Sequence, residues 1–256
     1  MSYQQGLFPV ISKTNLAKNI YDVTVFCPEI TGNTKAGQFV HIRVPGHILR
    51  RPISIASYDA EKGTIRIIYE IRGEGTQILA GLKAGDMIDI LGPLGNGYTL
   101  PEPEHTCVVV GGGIGVPPLL AIAERFGAKA TAILGFRSAQ AAILEEDFQQ
   151  SGANTILCTD DGTLGRKGFV TAALEELLAS DRPDCIFACG PMIMLKKVSE
   201  IATAHSIPCQ VSLEERMACG VGACLGCACK IRRGGEEVYL HVCKDGPVFS
   251  GEEVVF

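Results

Sequence analysis

The stretch TCVVVGGGIGVPPLLAIA, Thr106 to Ala123, carries no charge and approaches the roughly 20 residues that a membrane-spanning helix needs. Three successive glycines, Gly111 to Gly113, and the pair Pro117-Pro118 would break a lipid-exposed helix there. The pattern predicts instead a buried strand, a tight turn and the start of a helix. Pro117 or Pro118 falls in the first helical turn, where the missing N–H costs nothing. Glycines between a strand and a helix leave backbone N–H groups free beside the positive end of the helix dipole, where a pyrophosphate can sit. The usual dinucleotide fingerprint is incomplete, however. Gly111-x-Gly113 is followed by Val116 where the third glycine belongs, and no acidic residue lies about 20 residues on. Nucleotide binding and a plain strand-to-helix turn both remain open at this point.

Downstream, the apolar runs KATAILGF, NTILCT, DCIFAC and PCQVSL alternate with helical stretches near residues 117–126, 141–149, 169–179 and 192–205. That alternation predicts a parallel sheet with helices on both faces. Upstream, VTVFC, QFVHIRV, PISIAS, TIRIIYEI and DMIDIL are short β-branched runs separated by glycine-bearing breaks, with one short helix near residues 76–82. Such a run of strands predicts a small antiparallel barrel. The expected division is therefore a barrel domain at 1–102, a parallel-sheet nucleotide domain at 103–213 and a cysteine-rich lobe at 214–256, with PEPEH, Pro101 to His105, as a linker. The lobe is too small to bury a core of its own, and is expected to fold around whatever its cysteines hold and to dock on the nucleotide half.

Hydrophobic residues at 46% and charged ones at 20% are ordinary for a globular chain, so disorder is not expected beyond the ends. The net charge of −5, with basic residues scattered, gives no footprint for nucleic acid. MSYQQGLFPVISKTNL lacks the charged segment and apolar core of a secretory signal. The expectation is a cytoplasmic protein that binds neither nucleic acid nor membrane. In a reducing compartment, 11 cysteines are not a disulfide framework.

Four of them lie in RMACGVGACLGCACK, Arg216 to Lys230. Cys219, Cys224 and Cys227 follow a C-x4-C-x2-C spacing and Cys243 comes after, the plant-type [2Fe–2S] order with a shorter final gap. A zinc ribbon more usually shows two C-x2-C knuckles, and here there is one. Cys229, one strand step past Cys227, reads as a packed thiol. Cys27, Cys107, Cys158, Cys185 and Cys209 lie in apolar runs and read as core. Two further loops, CTDDGTLGRKG with Asp160 and CGPMIM with Gly190 and Pro191, follow predicted strands at the edge where open parallel sheets bind ligands. Cys189 can approach a nicotinamide ring there, or serve as a small buried hydrophobe. In the barrel, Arg51 can grip a phosphate, Ser54 can offer its hydroxyl to a ring nitrogen, and Gly75-Thr76 opens a short helix suited to a second phosphate contact.

A barrel carrying RPIS and GEGT, followed by GGGIGVPP and CGPM, resembles the ferredoxin–NADP reductase superfamily over almost the whole chain. With EERMACGVGACLGCACK and HVCKDGPVF added, the chain resembles the electron-transfer subunits of B-type dihydroorotate dehydrogenases. That resemblance implies FAD on Arg51, Pro52, Ile53, Ser54, Ile68, Tyr69, Glu70, Gly75 and Thr76. It implies NAD on Gly111, Gly112, Gly113, Gly115, Asp160, Gly190 and Pro191, with Ser54 and Cys189 nearest the reacting rings. It implies a [2Fe–2S] cluster on Cys219, Cys224, Cys227 and Cys243. The implied partner is an FMN-containing catalytic subunit that oxidises dihydroorotate for pyrimidine biosynthesis, in a heterotetramer of two chains of each kind. The bifurcating-enzyme reductases of similar layout resemble a pattern with Asp at the first ligand, from which Cys219 separates this chain. Two other readings stay open: the reductase component of another NAD(P)H-linked flavin and iron–sulfur oxidoreductase, and a zinc-stapled binding protein on a reductase-like scaffold. Arg137-Ser138 can be read as a 2′-phosphate contact or as an exposed loop.

Overall fold

The computed structural model describes residues 3–256. They form two compact units, one comprising residues up to 97 with 214–229 and 239–247, the other 98–213 with 230–238 and 248–256.

The first unit is built on the expected barrel. Its strands are β1 (Gln4–Ala17), β2 (Ile20–Phe26), β3 (Phe39–Ile42), β4 (Arg51–Asp59), β5 (Thr64–Glu70) and β6 (Met87–Leu94), closed in the order β1-β2-β5-β4-β3-β6. The interior is filled by β-branched side chains that suit a pleated wall, among them Val23, Val25, Ile42, Ile55, Ile65, Ile67 and Ile90. β1, which sequence patterning does not single out, closes the barrel by serving two neighbours. Gln4 to Pro9 pair with β6 and Val10 to Ala17 with β2, with register shifts between Val10 and Ser12 and between Asn15 and Ala17. Such irregularities bend a strand so that a sheet can curl onto itself. Two short helices, α1 (Pro28–Thr31) and α2 (Glu74–Leu79), interrupt the strands.

The second unit centres on a seven-stranded sheet. Its strands β7 (Cys107–Gly112), β8 (Ala130–Phe136), β9 (Asn154–Thr159), β10 (Arg166–Lys167), β11 (Cys185–Cys189) and β12 (Cys209–Ser212) are parallel, and the tail adds β15 (Val248–Ser250) antiparallel at one edge. The order is β10-β9-β8-β7-β11-β12-β15. Of the flanking helices, α3 (Leu120–Phe126) packs with α4 (Glu145–Gln150), and α5 (Val170–Ser180) with α6 (Met192–Ala204). Thr106 to Ala123 resolves as the sequence predicts into buried β7, a glycine turn, a 3₁₀ turn at Pro117–Leu119, and α3. Among the described residues no helix is long and apolar enough to cross a membrane.

The chain passes from the first unit to the second between Gly97 and Tyr98, ahead of Pro101–His105. Tyr98 already donates its hydroxyl to the Ala188 carbonyl (3.1 Å), and Thr99 exchanges backbone hydrogen bonds with the Gln210 amide (2.9 and 2.7 Å). The tail forms a hairpin of β13 (Ala228–Arg233) and β14 (Glu236–His241). Docking on the nucleotide half describes only part of it. Residues 230–238 and 248–256 belong there, whereas the segments carrying the cysteines group with the barrel. One reason is Asn96, whose N–H meets the Gly246 carbonyl at 2.5 Å and whose amide donates to the carbonyls of Lys244 and Asp245.

The sheet reverses its winding between β7 and β11, and ligands of open parallel sheets bind outside the carboxyl ends at such a point. The two backbones touch there. A Cβ on Gly115 would stand 2.5 Å from the Cys189 carbonyl oxygen and 2.6 Å from Gly190 Cα. We expect Gly115→Ala to cost about 1–3 kcal/mol through overpacking and to lower the thermal midpoint by several degrees. A melting curve within about one degree of the parent would show that this contact yields freely.

Candidate flavin, nucleotide and iron–sulfur sites

In β4, Arg51 to Ser54 form a half-buried run, open to a ligand, ahead of the fully buried Ile55 and Ala56. Arg51 does not extend into solvent. Its Nη1 donates to the Leu49 carbonyl at 2.6 Å and Nη2 lies 3.3 Å from His47 Nδ1. The guanidinium covers Gly75, where a Cβ would stand 2.5 Å from Nε. The strand motif and the helix-start motif are thus brought together, and Gly75 is what lets the fork of donors lie on the backbone. The Thr76 hydroxyl is engaged within its own turn. Its Oγ1 accepts from the N–H of Arg72 (2.9 Å) and Gly73 (3.3 Å) and donates to the Gly73 carbonyl (3.0 Å), so it shapes the loop. On β5, Ile68 and Tyr69 are buried and Glu70 is half-buried, tied to Arg72 at 2.9 Å. The Tyr69 hydroxyl has no hydrogen-bond partner inside the protein, an orphaned donor of the kind a bound ligand satisfies.

In the second unit, Gly111, Gly112, Gly113 and Gly115 turn out of β7, and Gly190 and Pro191 out of β11. The turns interlock: a Cβ on Gly112 would meet Met194 Sδ at 2.7 Å and Pro191 Cδ at 3.0 Å, and one on Gly190 would lie 3.1 Å from the Gly112 nitrogen. Gly113 has φ +56°, a left-handed conformation that glycine adopts without strain. Cys189 ends β11 and is 2% exposed, at the mouth of this cleft yet packed into the sheet. Asp160 is exposed and stands apart from the glycine turns, after β9, its N–H bonded to the Phe136 carbonyl at 3.1 Å.

Of the five tail cysteines, the four candidate ligands fall into two pairs. Cys227 and Cys243 are each 1% exposed with sulfurs 3.2 Å apart, while Cys219 and Cys224 are half-buried with the Cys224 thiol bonded to Cys219. A two-iron cluster divides its ligands two to each iron, so pairs fit it. Backbone donors face the sulfurs: Gly222 N–H to Cys243 Sγ at 3.1 Å and Ala223 N–H to Cys219 Sγ at 3.3 Å. Gly220 (φ +73°) and Gly222 (φ +78°) adopt the left-handed turns that aim those N–H groups inward. Burial pushes the Cys219 thiol up, but the N–H groups of Val221, Cys224 and Ala223 and the Cys224 thiol overcome it and bring it down to about 6. Cys243 moves the opposite way, raised first by burial and then by the neighbouring Cys227. A turn whose backbone N–H groups stabilise the Cys219 thiolate suits a thiolate-ligated cluster. Cys229, of intermediate burial, is raised to about 11, by burial first and then by Glu215 and Cys227. Cys27, Cys107, Cys158, Cys185 and Cys209 are buried as expected.

A closed barrel with an open half-buried strand, a switch-point nucleotide cleft and a thiolate loop define a flavin-dependent reductase with an added iron–sulfur module. Residues 8–98 match the family model described as an oxidoreductase FAD-binding domain, and residues 214–255 the one described as the iron–sulfur cluster binding domain of dihydroorotate dehydrogenase B. The chain is 42% identical over 250 residues to the electron transfer subunit of dihydroorotate dehydrogenase B (NAD(+)) of Caldanaerobacter subterraneus, covering 96% of this chain and 97% of that one. With the same subunit of Bacillus pumilus it shares 44% over 259 residues, 98% of each chain. A solved NADH-dependent reduced ferredoxin–NADP oxidoreductase, studied for flavin-based electron bifurcation, superposes with a TM-score of 0.86 at 32% identity over 97% of this chain and 90% of the other. This chain belongs to the family of dihydroorotate dehydrogenase B electron transfer subunits. It is an oxidoreductase component whose cofactors include FAD and an iron–sulfur cluster.

Losing a hydrogen bond to a charged group costs about 1.5–3 kcal/mol. Arg51→Ala is therefore expected to weaken FAD retention roughly ten- to a hundredfold, read as flavin content after desalting. Unchanged occupancy would remove Arg51 from the flavin site.

Proposed function

We propose that this chain is an electron relay between NAD(H) and a catalytic subunit that oxidises dihydroorotate, acting in the cytoplasm as part of pyrimidine biosynthesis. What carries the reading is the coexistence, along one chain of this family, of the FAD-binding barrel and the paired tail cysteines. When bound, FAD exchanges two electrons as hydride with a nicotinamide and single electrons with a [2Fe–2S] centre.

The protein's own part is to hold and to insulate. Arg51 and the Gly75 turn grip phosphate, with Thr76 holding the loop in shape. Ser54 offers its hydroxyl to the flavin ring, and Pro52, Ile53, Ile68, Tyr69 and Glu70 complete the wall. In the second unit, Gly111, Gly112, Gly113 and Gly115 let a pyrophosphate approach the backbone at the switch point. Gly190 and Pro191 shape the opposite lip, Cys189 presents a small side chain where a flat ring must fit, and Asp160 takes the outer ribose. Cys219, Cys224, Cys227 and Cys243 would hold the cluster, as two pairs of thiolates. The partner is the FMN-containing dihydroorotate-oxidising subunit, two of each chain making a heterotetramer. The three-part division at 102 and 213 describes cofactor duties along the sequence: FAD, then NAD, then the cluster.

The test is an anaerobic preparation of the complex whose visible spectrum is recorded before and after dihydroorotate. Flavin and cluster bands are expected to bleach. Bleaching with NADH but not with dihydroorotate would overturn the assignment of the partner. Cys224→Ser is expected to leave reduction of the flavin by NADH within about twofold of the parent while abolishing transfer to the partner; full transfer in that variant would refute the cluster ligands.

A further inference from the structure

The barrel wall contains a histidine that the relay does not use. His41, on β3, is 0% exposed between the buried Val40 and Ile42, and neither ring nitrogen has a hydrogen-bond partner of good geometry. A buried polar ring without partners costs stability, and an apolar side chain would pack the same place more cheaply. The surroundings show where the nitrogens are directed. Nδ1 is the atom nearest to where a side chain on Gly220 would begin, with Cε1 and Cγ at 3.1 and 3.2 Å from that point. The backbone carbonyls of Arg50 and Cys219 are the acceptors facing the ring, and the guanidinium groups of Arg50 and Arg51 are the charges acting on it. On the strand side, His41 pairs with Pro52 of β4, and its own carbonyl accepts from Arg50 Nη1 at 3.1 Å. One residue thus joins the strand assigned to flavin and the turn bearing the first cluster cysteine, all within the first unit.

Resting on the relay reading above, we propose that His41 is a positioning residue for the iron–sulfur centre: its imidazole, wedged against Gly220, directs a ring N–H at the Cys219 peptide and thereby sets the potential at which the cluster accepts an electron. A neutral imidazole carries one N–H donor whichever nitrogen holds the proton. A donor drawing charge from the peptide of a thiolate ligand favours the more negative, reduced cluster, and hydrogen bonds around the ligands are among the levers that set such potentials. The N–H groups of Val221, Ala223 and Cys224 already surround the Cys219 sulfur, so its turn is one where a further donor acts on an established network.

The experiment is a redox titration of the intact complex followed by the electron paramagnetic resonance of the reduced cluster. His41→Phe keeps the ring volume and removes both nitrogens, and His41→Gln restores an amide donor. The Phe variant is expected to shift the reduced-to-oxidised ratio of the cluster about tenfold toward oxidised at fixed potential, which is about 59 mV for one electron. Its signal should change shape, FAD content should stay at the parent level, and Gln should recover part of the shift. A parent-like midpoint and spectrum in His41→Phe, or equal shifts in Phe and Gln, would overturn the proposal. Should the Phe variant not accumulate, Gly220→Ala displaces the same ring from the opposite side, and an unchanged midpoint there overturns it equally. A parent complex without iron, sulfide or a reduced-cluster signal would refute the relay reading itself, before any variant is compared.

Discussion

At three places the backbone can be approached only because a Cβ is missing, and the functional sites depend on them. Arg51 lies on Gly75, the Cys189–Gly190 turn lies against Gly115, and His41 lies against Gly220. Each contact joins two segments distant in sequence: a strand and a helix start, two strand ends, a barrel wall and a cysteine loop. A methyl group at Gly115 would push the two turns apart, and one at Gly75 or Gly220 would displace the Arg51 guanidinium or the His41 ring. The left-handed turns at Gly113, Gly220 and Gly222 add a second demand for glycine, since they turn backbone N–H groups toward the positions an anion or a sulfur must take.

The cysteine loop is where spacing says most, because its candidate ligands are local. Cys219, Cys224 and Cys227 are separated by so few residues that spacing alone limits how their sulfurs can meet, whereas the 3.2 Å approach of Cys227 to Cys243 depends on a hairpin that spacing cannot announce. Arg51 and Gly75 were readable as separate motifs, but not the guanidinium lying on the glycine. Thr76 was readable as a hydroxyl but not as one already occupied by its own loop. His41 carried only a faint signal, a histidine inside QFVHIRV, and its neighbour Gly220 is far away in sequence.

The fold was legible where β-branched runs sit between glycine breaks and where strands alternate with helices. It was less so at the ends. QQGLFPVISKTNLA mixes Pro9, Lys13 and Asn15 into a strand whose register shifts twice, so its alternation never settles into a clean period of two. In the tail, β13, β14 and β15 lie among cysteines and charged residues, and β15 takes its strand identity from β12, to which it adds an antiparallel edge. Such an added strand also covers a sheet edge that would otherwise present unpaired backbone groups.

The division of the tail between the two units bears on the order in which the protein matures. All six barrel strands lie before residue 98, so the flavin cradle can assemble while the ribosome is still making the nucleotide half. The cysteine segments that join that barrel are made after every helix of the second unit, and β15 must find its place on a sheet whose other members were made earlier. Flavin loading can therefore precede metal loading, which acts on a chain whose barrel and whose second-unit helices have already been made.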